Sequence, residues 1–221
     1  MGRLKYSEEE RLRIITGFLR CTREIIDFEG IEHISIRRVS QSAGFNSATM
    51  YIYFKDADEL VTLASMSYLE NCCRTLAADI PQLSTPREIY VHTWRVFCQH
   101  AFASPRVFCH LFFYPHSQPL SETVARYYEI YPNLLSSSDV FVRDLLLAGD
   151  LSQRNRRVLQ PIAAELGFDE AQTDLINELT TAYFKKLLED HQGENGSIAA
   201  ERRVQKMLDA IDLLFRTGAA R

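Results

Sequence analysis

This chain of 221 residues is as informative in what it omits as in what it contains. No apolar run reaches the roughly 18 to 20 residues needed to span a bilayer, and the opening MGRLKYSEEERLRII lacks the apolar stretch of a secretory signal. The five cysteines (Cys21, Cys72, Cys73, Cys98 and Cys109) form no CxxC pair. That argues against a disulfide framework and for reduced thiols in a cytoplasmic protein. There is no HExxH, no Asp-rich metal motif, and no nucleophile beside a recognisable base, so catalysis finds little support. No segment alternates convincingly enough for a strand, and no internal repeat or long low-complexity linker is present. Tryptophan occurs once, at Trp94.

What is present is helical punctuation. Ser7 with Glu10 three residues on predicts a capping box, and Ile14, Phe18, Cys21, Ile25 and Ile26 then recur as one stripe before Gly30. A fourth helix is expected from about Asp56 to Ala78, stopped by Pro81. Thr85-Pro86-Arg87-Glu88 places a cap, Pro at the first helical position and Glu at the third, for a helix to about Ala103. Ser104-Pro105 repeats the signal for a short helix ending near Tyr114-Pro115. Further helices are expected around Leu120 to Tyr131, from Ser138 through Leu147, and from Gly149-Asp150 to Gly167. The last two, 169–191 and 198–216, flank Gly193-Glu194-Asn195-Gly196. The expected fold class is all-α, with nine or ten helices.

The densest information lies between Ser35 and Leu60. Ser35 can cap a short helix carrying Ile36, Val39 and Ala43. Gly44 supplies a permissive turn, Phe45 an apolar anchor, and Asn46 a cap for a second short helix that turns Met50 and Phe54 inward. Two short helices joined by a tight turn containing Gly form the helix-turn-helix unit, whose second helix enters the DNA major groove.

These residues resemble the TetR family of transcriptional regulators. The likeness runs through Ile36, Val39, Ala43-Gly44, Thr49, Tyr51, Tyr53-Phe54 and Leu60, and covers roughly residues 8 to 80. It implies two domains: a DNA-binding domain over 1–57 and a helical effector-binding and dimerisation domain over 58–221. It implies phosphate contacts from Thr49, Tyr51 and Tyr53. Arg37, Ser47, Ala48 and Ile52 are the base-reading candidates, since Arg reads guanine bidentately and small apolar groups meet a thymine methyl. Arg38, Asn46 and Lys55 complete the expected DNA surface. The family's usual Lys at the start of the fourth helix is Ala57 here, so its phosphate contact is missing or transferred to Lys55.

Charge gives this reading little help. Residues 1–57 hold nine basic and eight acidic side chains, a net +1 within a chain of net −4. What counts for phosphate contact is the face on which the charge sits.

Between Tyr90 and Tyr131 the aromatics crowd together. Trp94, Phe97, His100, Phe108, Phe112, Tyr127 and Tyr128 are the candidates for an effector pocket, and the same residues could equally be plain core. His92, His100, His110 and His116 lie there with Cys98 and Cys109. Metal sensing needs three or four converging ligands, and no i, i+4 His pair occurs, so packing and polar lining is the favoured reading; neither a metal nor a cofactor is expected. In the last two helices Leu175, Leu179, Tyr183 and Leu187 form one stripe, and Val204, Leu208, Ile211 and Phe215 another. The resemblance makes Leu175, Leu179, Tyr183, Leu208, Ile211 and Phe215 a homodimer interface suited to a palindromic operator. The expected protein is thus a dimeric repressor of double-stranded operator DNA, released by a small apolar or aromatic effector. The alternatives are a helical binding protein that has lost DNA contact and an all-α enzyme.

Overall fold

The structure is a computed structural model that describes residues 7–133, 145, 147–192 and 196–218. Among these residues it is all-α: α1 (Glu8–Glu29), α2 (Ile36–Ser42), α3 (Ser47–Tyr53), α4 (Ala57–Asp79), α5 (Pro86–Ala103), α6 (Pro105–Phe113), α7 (Leu120–Ile130), α8 (Leu151–Leu166), α9 (Glu170–His191) and α10 (Ser197–Gly218). Most of the helix expected from Ser138 to Leu147 lies outside the described residues.

Local chemistry sets most of the boundaries. The Ser7 hydroxyl accepts from the Glu10 N–H at 3.2 Å while the Glu10 carboxylate accepts from the Ser7 N–H at 2.7 Å. Thr85 with Glu88 and Asp169 with Gln172 build the same reciprocal box on α5 and α9. Each box satisfies two backbone donors that a helix start otherwise leaves unpaired. Gly30 (φ 102°) closes α1. No described helix is long and apolar enough to cross a membrane.

The chain divides into two compact units. One comprises the chain through Ser67 together with the stretch from Pro115 that carries α7; the other comprises Tyr68–Tyr114 and the segment containing α8, α9 and α10. The expected division after residue 57 is therefore not where the packing divides: α4 contributes to both units, and α7 returns to the first.

In the first unit the core forms around Phe18, which is fully buried. Its ring stacks on Phe45 at 5.5 Å and meets Phe54 edge-on at 5.9 Å. Val39, Met50, Leu60 and Leu63 are buried in the same unit. In the second unit α5 is the central helix, packing against α6, α8, α9 and α10. Its aromatic face organises the core: Trp94 and Phe97 lie 5.4 and 5.0 Å from the buried ring of Phe184 on α9, and Tyr90 lies 5.3 Å from Phe215 on α10. Burying each such side chain contributes about 1.5–3 kcal/mol.

Candidate DNA-contacting surface and effector cavity

The α2–α3 turn follows from the backbone freedom of one glycine. Gly44 sits at φ 79°, where any Cβ is strained. Its N–H donates to the Gln41 carbonyl at 3.1 Å, and the Phe45 N–H donates to the Ser40 carbonyl at 2.8 Å. This is the double closure of a Schellman motif, completed by an apolar residue just beyond it; Phe45 supplies that residue by stacking on Phe18. The Asn46 side chain then accepts from the Thr49 N–H at 3.0 Å and from the Thr49 hydroxyl at 3.1 Å, which starts α3.

On this seven-residue helix, Met50 and Tyr53 face inward with the following Phe54, while Ala48, Tyr51 and Ile52 face solvent. Tyr51 is 56% exposed and Ile52 is 71% exposed. Arg37 on α2 is exposed, and Ser47 and Thr49 are half-buried. Arg38 is half-buried and pairs with Glu29 of α1. Tyr53, expected on the DNA surface, has most of its side chain buried and is 7% exposed. Lys55 is exposed, but its Nζ donates to the Ser117 carbonyl at 2.7 Å, so a phosphate contact from it requires exchange of that bond.

The end of α3 is held from α7. The Arg126 guanidinium donates to the Tyr53 carbonyl and to the carboxylate of Glu59, a residue that is itself buried. It also lies over the Phe54 ring, 5.4 Å from the centroid. Glu59 accepts in addition from the Lys55 N–H at 2.6 Å and from Gln118 at 3.3 Å. Asp58 at the start of α4 accepts from the Ser117 N–H at 2.8 Å and meets His116 Nδ1 at 3.2 Å. Sequence reasoning missed this set of contacts, which carries no local signature.

In the second unit a cavity of about 40 Å³ opens between α4, α5 and α8. From α4 it is walled by Leu69, Cys72, Cys73 and Leu76, and from α5 by Thr93, Trp94 and Phe97. Leu145 and, from α8, Leu151, Arg154, Asn155 and Val158 complete it. Two of the seven expected pocket residues, Trp94 and Phe97, therefore line it. Phe108 and Phe112 instead meet Phe97 edge-on at 5.5 and 5.6 Å. His100 lies 3.3 Å from the Thr75 hydroxyl, and desolvation holds it below the usual histidine range. Tyr127 and Tyr128 sit on α7 in the first unit, where their rings pack together at 5.4 Å. The aromatic run thus divides between the two units. Burial pushes the wall thiol of Cys73 up to about 12 and raises Cys72 well above its usual range.

The polar wall was also missed. Asn155 Oδ1 accepts from Trp94 Nε1 at 2.9 Å, and Asn155 Nδ2 donates to Asn177 Oδ1 at 2.8 Å. Asn177 Nδ2 donates in turn to the Ser152 hydroxyl at 2.8 Å. Arg154 donates to the carbonyls of Gly149 at 3.1 Å and Leu145 at 2.6 Å. The available signal was two polar residues, Arg154 and Asn155, set within the buried stripe Leu151, Val158 and Ile162.

The two C-terminal stripes differ in what covers them. On α9, Leu175 and Leu179 are 55% and 45% exposed, and Tyr183 is half-buried. On α10, Leu208, Ile211 and Phe215 are buried within their own unit, where α10 packs on α5. The expectation that these three form an interface between subunits is corrected: they are intramolecular core.

No family model matches the chain, and no curated protein does. Solved structures match over nearly the whole chain. RolR in complex with resorcinol superposes with a TM-score of 0.60 at 15% identity, covering 97% of each chain. The Thermus thermophilus TetR-family repressor FadR with lauroyl-CoA gives 0.57 at 15% identity, covering 89% of this chain and 92% of that one. A putative TetR-family regulator from Rhodococcus sp. gives 0.53 at 17%, covering 93% and 99%. The chain therefore has the all-α fold of solved TetR-type regulators.

Proposed function

We propose that the chain is a TetR-family transcriptional regulator: a homodimer that binds operator DNA through α2 and α3 and releases it when a small apolar or aromatic effector occupies the second unit. The observation that carries this reading is α3 itself. A seven-residue helix is fixed at its start by a Schellman turn and an Asn cap and at its end by Arg126, yet it exposes Tyr51 and Ile52. Such rigid presentation of large side chains suits insertion into a major groove. Arg37, Ser47, Ala48 and Ile52 are assigned to base edges, and Thr49, Tyr51 and Tyr53 to phosphates. The functional boundary is placed at residue 57, with effector binding and dimerisation assigned to 58–221. Two of the superposed structures carry ligands, resorcinol with RolR and lauroyl-CoA with the repressor FadR, which supports an effector-responsive role here. Dimerisation is assigned to α9 through Leu175, Leu179 and Tyr183.

The test is selection of bound fragments from the source genome, followed by titration of variants on the recovered site. Tyr51→Phe should weaken binding on all sequences by about 1 kcal/mol, the net worth of one hydrogen bond. Arg37→Ala should relax preference at particular base pairs. Failure to recover any fragment, with α3 intact by hydrogen exchange, would favour a helical binding protein without DNA contact.

A further inference from the structure

We infer that Ala48 and Ile52 of α3 recognise the C5-methyl groups of thymines in the major groove, so that the operator half-site carries thymine where α3 lies. This rests on the proposal that α2 and α3 bind operator DNA, and it names the base that α3 reads. The residues of α3 are SATMYIY. Arg, Lys, Asn, Gln, Asp and Glu are all missing from it, and these are the side chains that pair with the edges of guanine, adenine and cytosine. The nearest amide belongs to Asn46. Its Oδ1 already accepts from the Thr49 N–H at 3.0 Å and from the Thr49 hydroxyl at 3.1 Å. Both lone pairs are therefore taken, and Asn46 has no acceptor left for the paired contact that reads adenine. The Ser47 hydroxyl can meet more than one base and discriminates little.

What α3 does present is apolar. Ala48 and Ile52 lie one turn apart on one face, away from the buried Met50, and Ile52 is 71% exposed. Among the four bases, thymine carries an apolar group on its major-groove edge, the C5-methyl. Contact between that methyl and Ile52 removes apolar surface of both from water. Ala48 adds a second methyl without holding the helix away from the bases. The hydroxyls of Thr49 and Tyr51 are assigned to phosphates, which set the register but carry no sequence information. Hydrogen-bonded readout then falls to α2, where Arg37 is exposed and can pair with guanine.

The experiment uses the full-length protein and a fragment recovered by genomic selection, copied in vitro so that it carries thymine but no 5-methylcytosine, which bears the same methyl. Deoxyuridine then replaces thymine one base pair at a time. The exchange removes the C5-methyl and keeps the pairing edge. At one or more positions of each half-site it should weaken binding about threefold or more, the worth of one buried methyl group. In Ile52→Ala, a change at an exposed position, the penalty at one of those positions should fall to about 1.5-fold or less, as a double-mutant cycle requires of a direct contact. Penalties below about 1.5-fold at every thymine, or an undiminished penalty in Ile52→Ala, overturn the methyl assignment and leave DNA binding by α2 and α3 standing. A copied fragment that no longer binds, although the genomic one did, overturns the choice of thymine in favour of 5-methylcytosine. If no fragment binds at all, the DNA-binding proposal falls, and this inference with it.

Discussion

Arg126→Ala should loosen α3 without touching any residue of it. The side chain makes charge-assisted bonds to the Glu59 carboxylate and the Tyr53 carbonyl and covers the Phe54 ring. Removing one partner of a buried ion pair costs about 3–5 kcal/mol, largely through the charge left behind. Glu59 keeps the Lys55 N–H at 2.6 Å and Gln118 at 3.3 Å, so the lower end, about 3 kcal/mol, applies. That corresponds to an increase on the order of 100-fold in local opening. Native-state hydrogen exchange should show it at the Phe54 N–H, which donates to the Met50 carbonyl, while the amides of α9 stay near their wild-type rates. Adding Glu59→Gln removes the stranded charge, so the double variant should exchange more slowly than Arg126→Ala alone. A change below about threefold at Phe54, or a double variant worse than the single one, would refute the reasoning that Arg126 balances a buried charge.

Leu179→Glu, placed at an exposed α9 position, should leave the monomer folded and shift sedimentation to the monomer. An intact dimer would move the interface elsewhere. The five cysteines are all buried and free, and burial raises Cys72, Cys73 and Cys98 well above the usual thiol range. They should therefore react with Ellman's reagent at pH 8 only as fast as the protein opens, and rapid reaction of the native state would contradict this. Burial holds Tyr90 at about 12, whereas an unfolded tyrosine ionises near 10. Its stabilisation is complete below about pH 10 and is lost as the pH rises toward 12. Tyr90→Phe should flatten that alkaline limb of the denaturation profile.

Features governed by near neighbours in the chain were legible. The capping boxes at Ser7 and Thr85, the Ser35 and Asn46 caps and the Gly44 turn each need only a few consecutive residues, and the all-α class follows from them. Periodicity identified the stripes but not what covers them. Leu175 and Leu179 of α9 and the α10 stripe look alike in sequence, yet the former are exposed and the latter packs on α5. Arg126 left no trace at all, since its partner Glu59 lies 67 residues away and no spacing rule reaches that far. Tyr127 and Tyr128 were grouped with Trp94 on composition, which cannot report that α7 folds back onto the first unit.

That return of α7 also imposes an order of events during synthesis. The Tyr53 carbonyl waits for a guanidinium 73 residues further along. At about 5–20 residues per second, that interval is roughly 4–15 s. Through it the nascent first unit carries Glu59 without its counter-charge, and α3 lacks the Arg126 bond at its C-terminal end. A fragment ending anywhere before residue 126 is arrested in that state, so the shortest piece of this chain able to present α3 as described extends well past the four helices that a sequence reader would cut out.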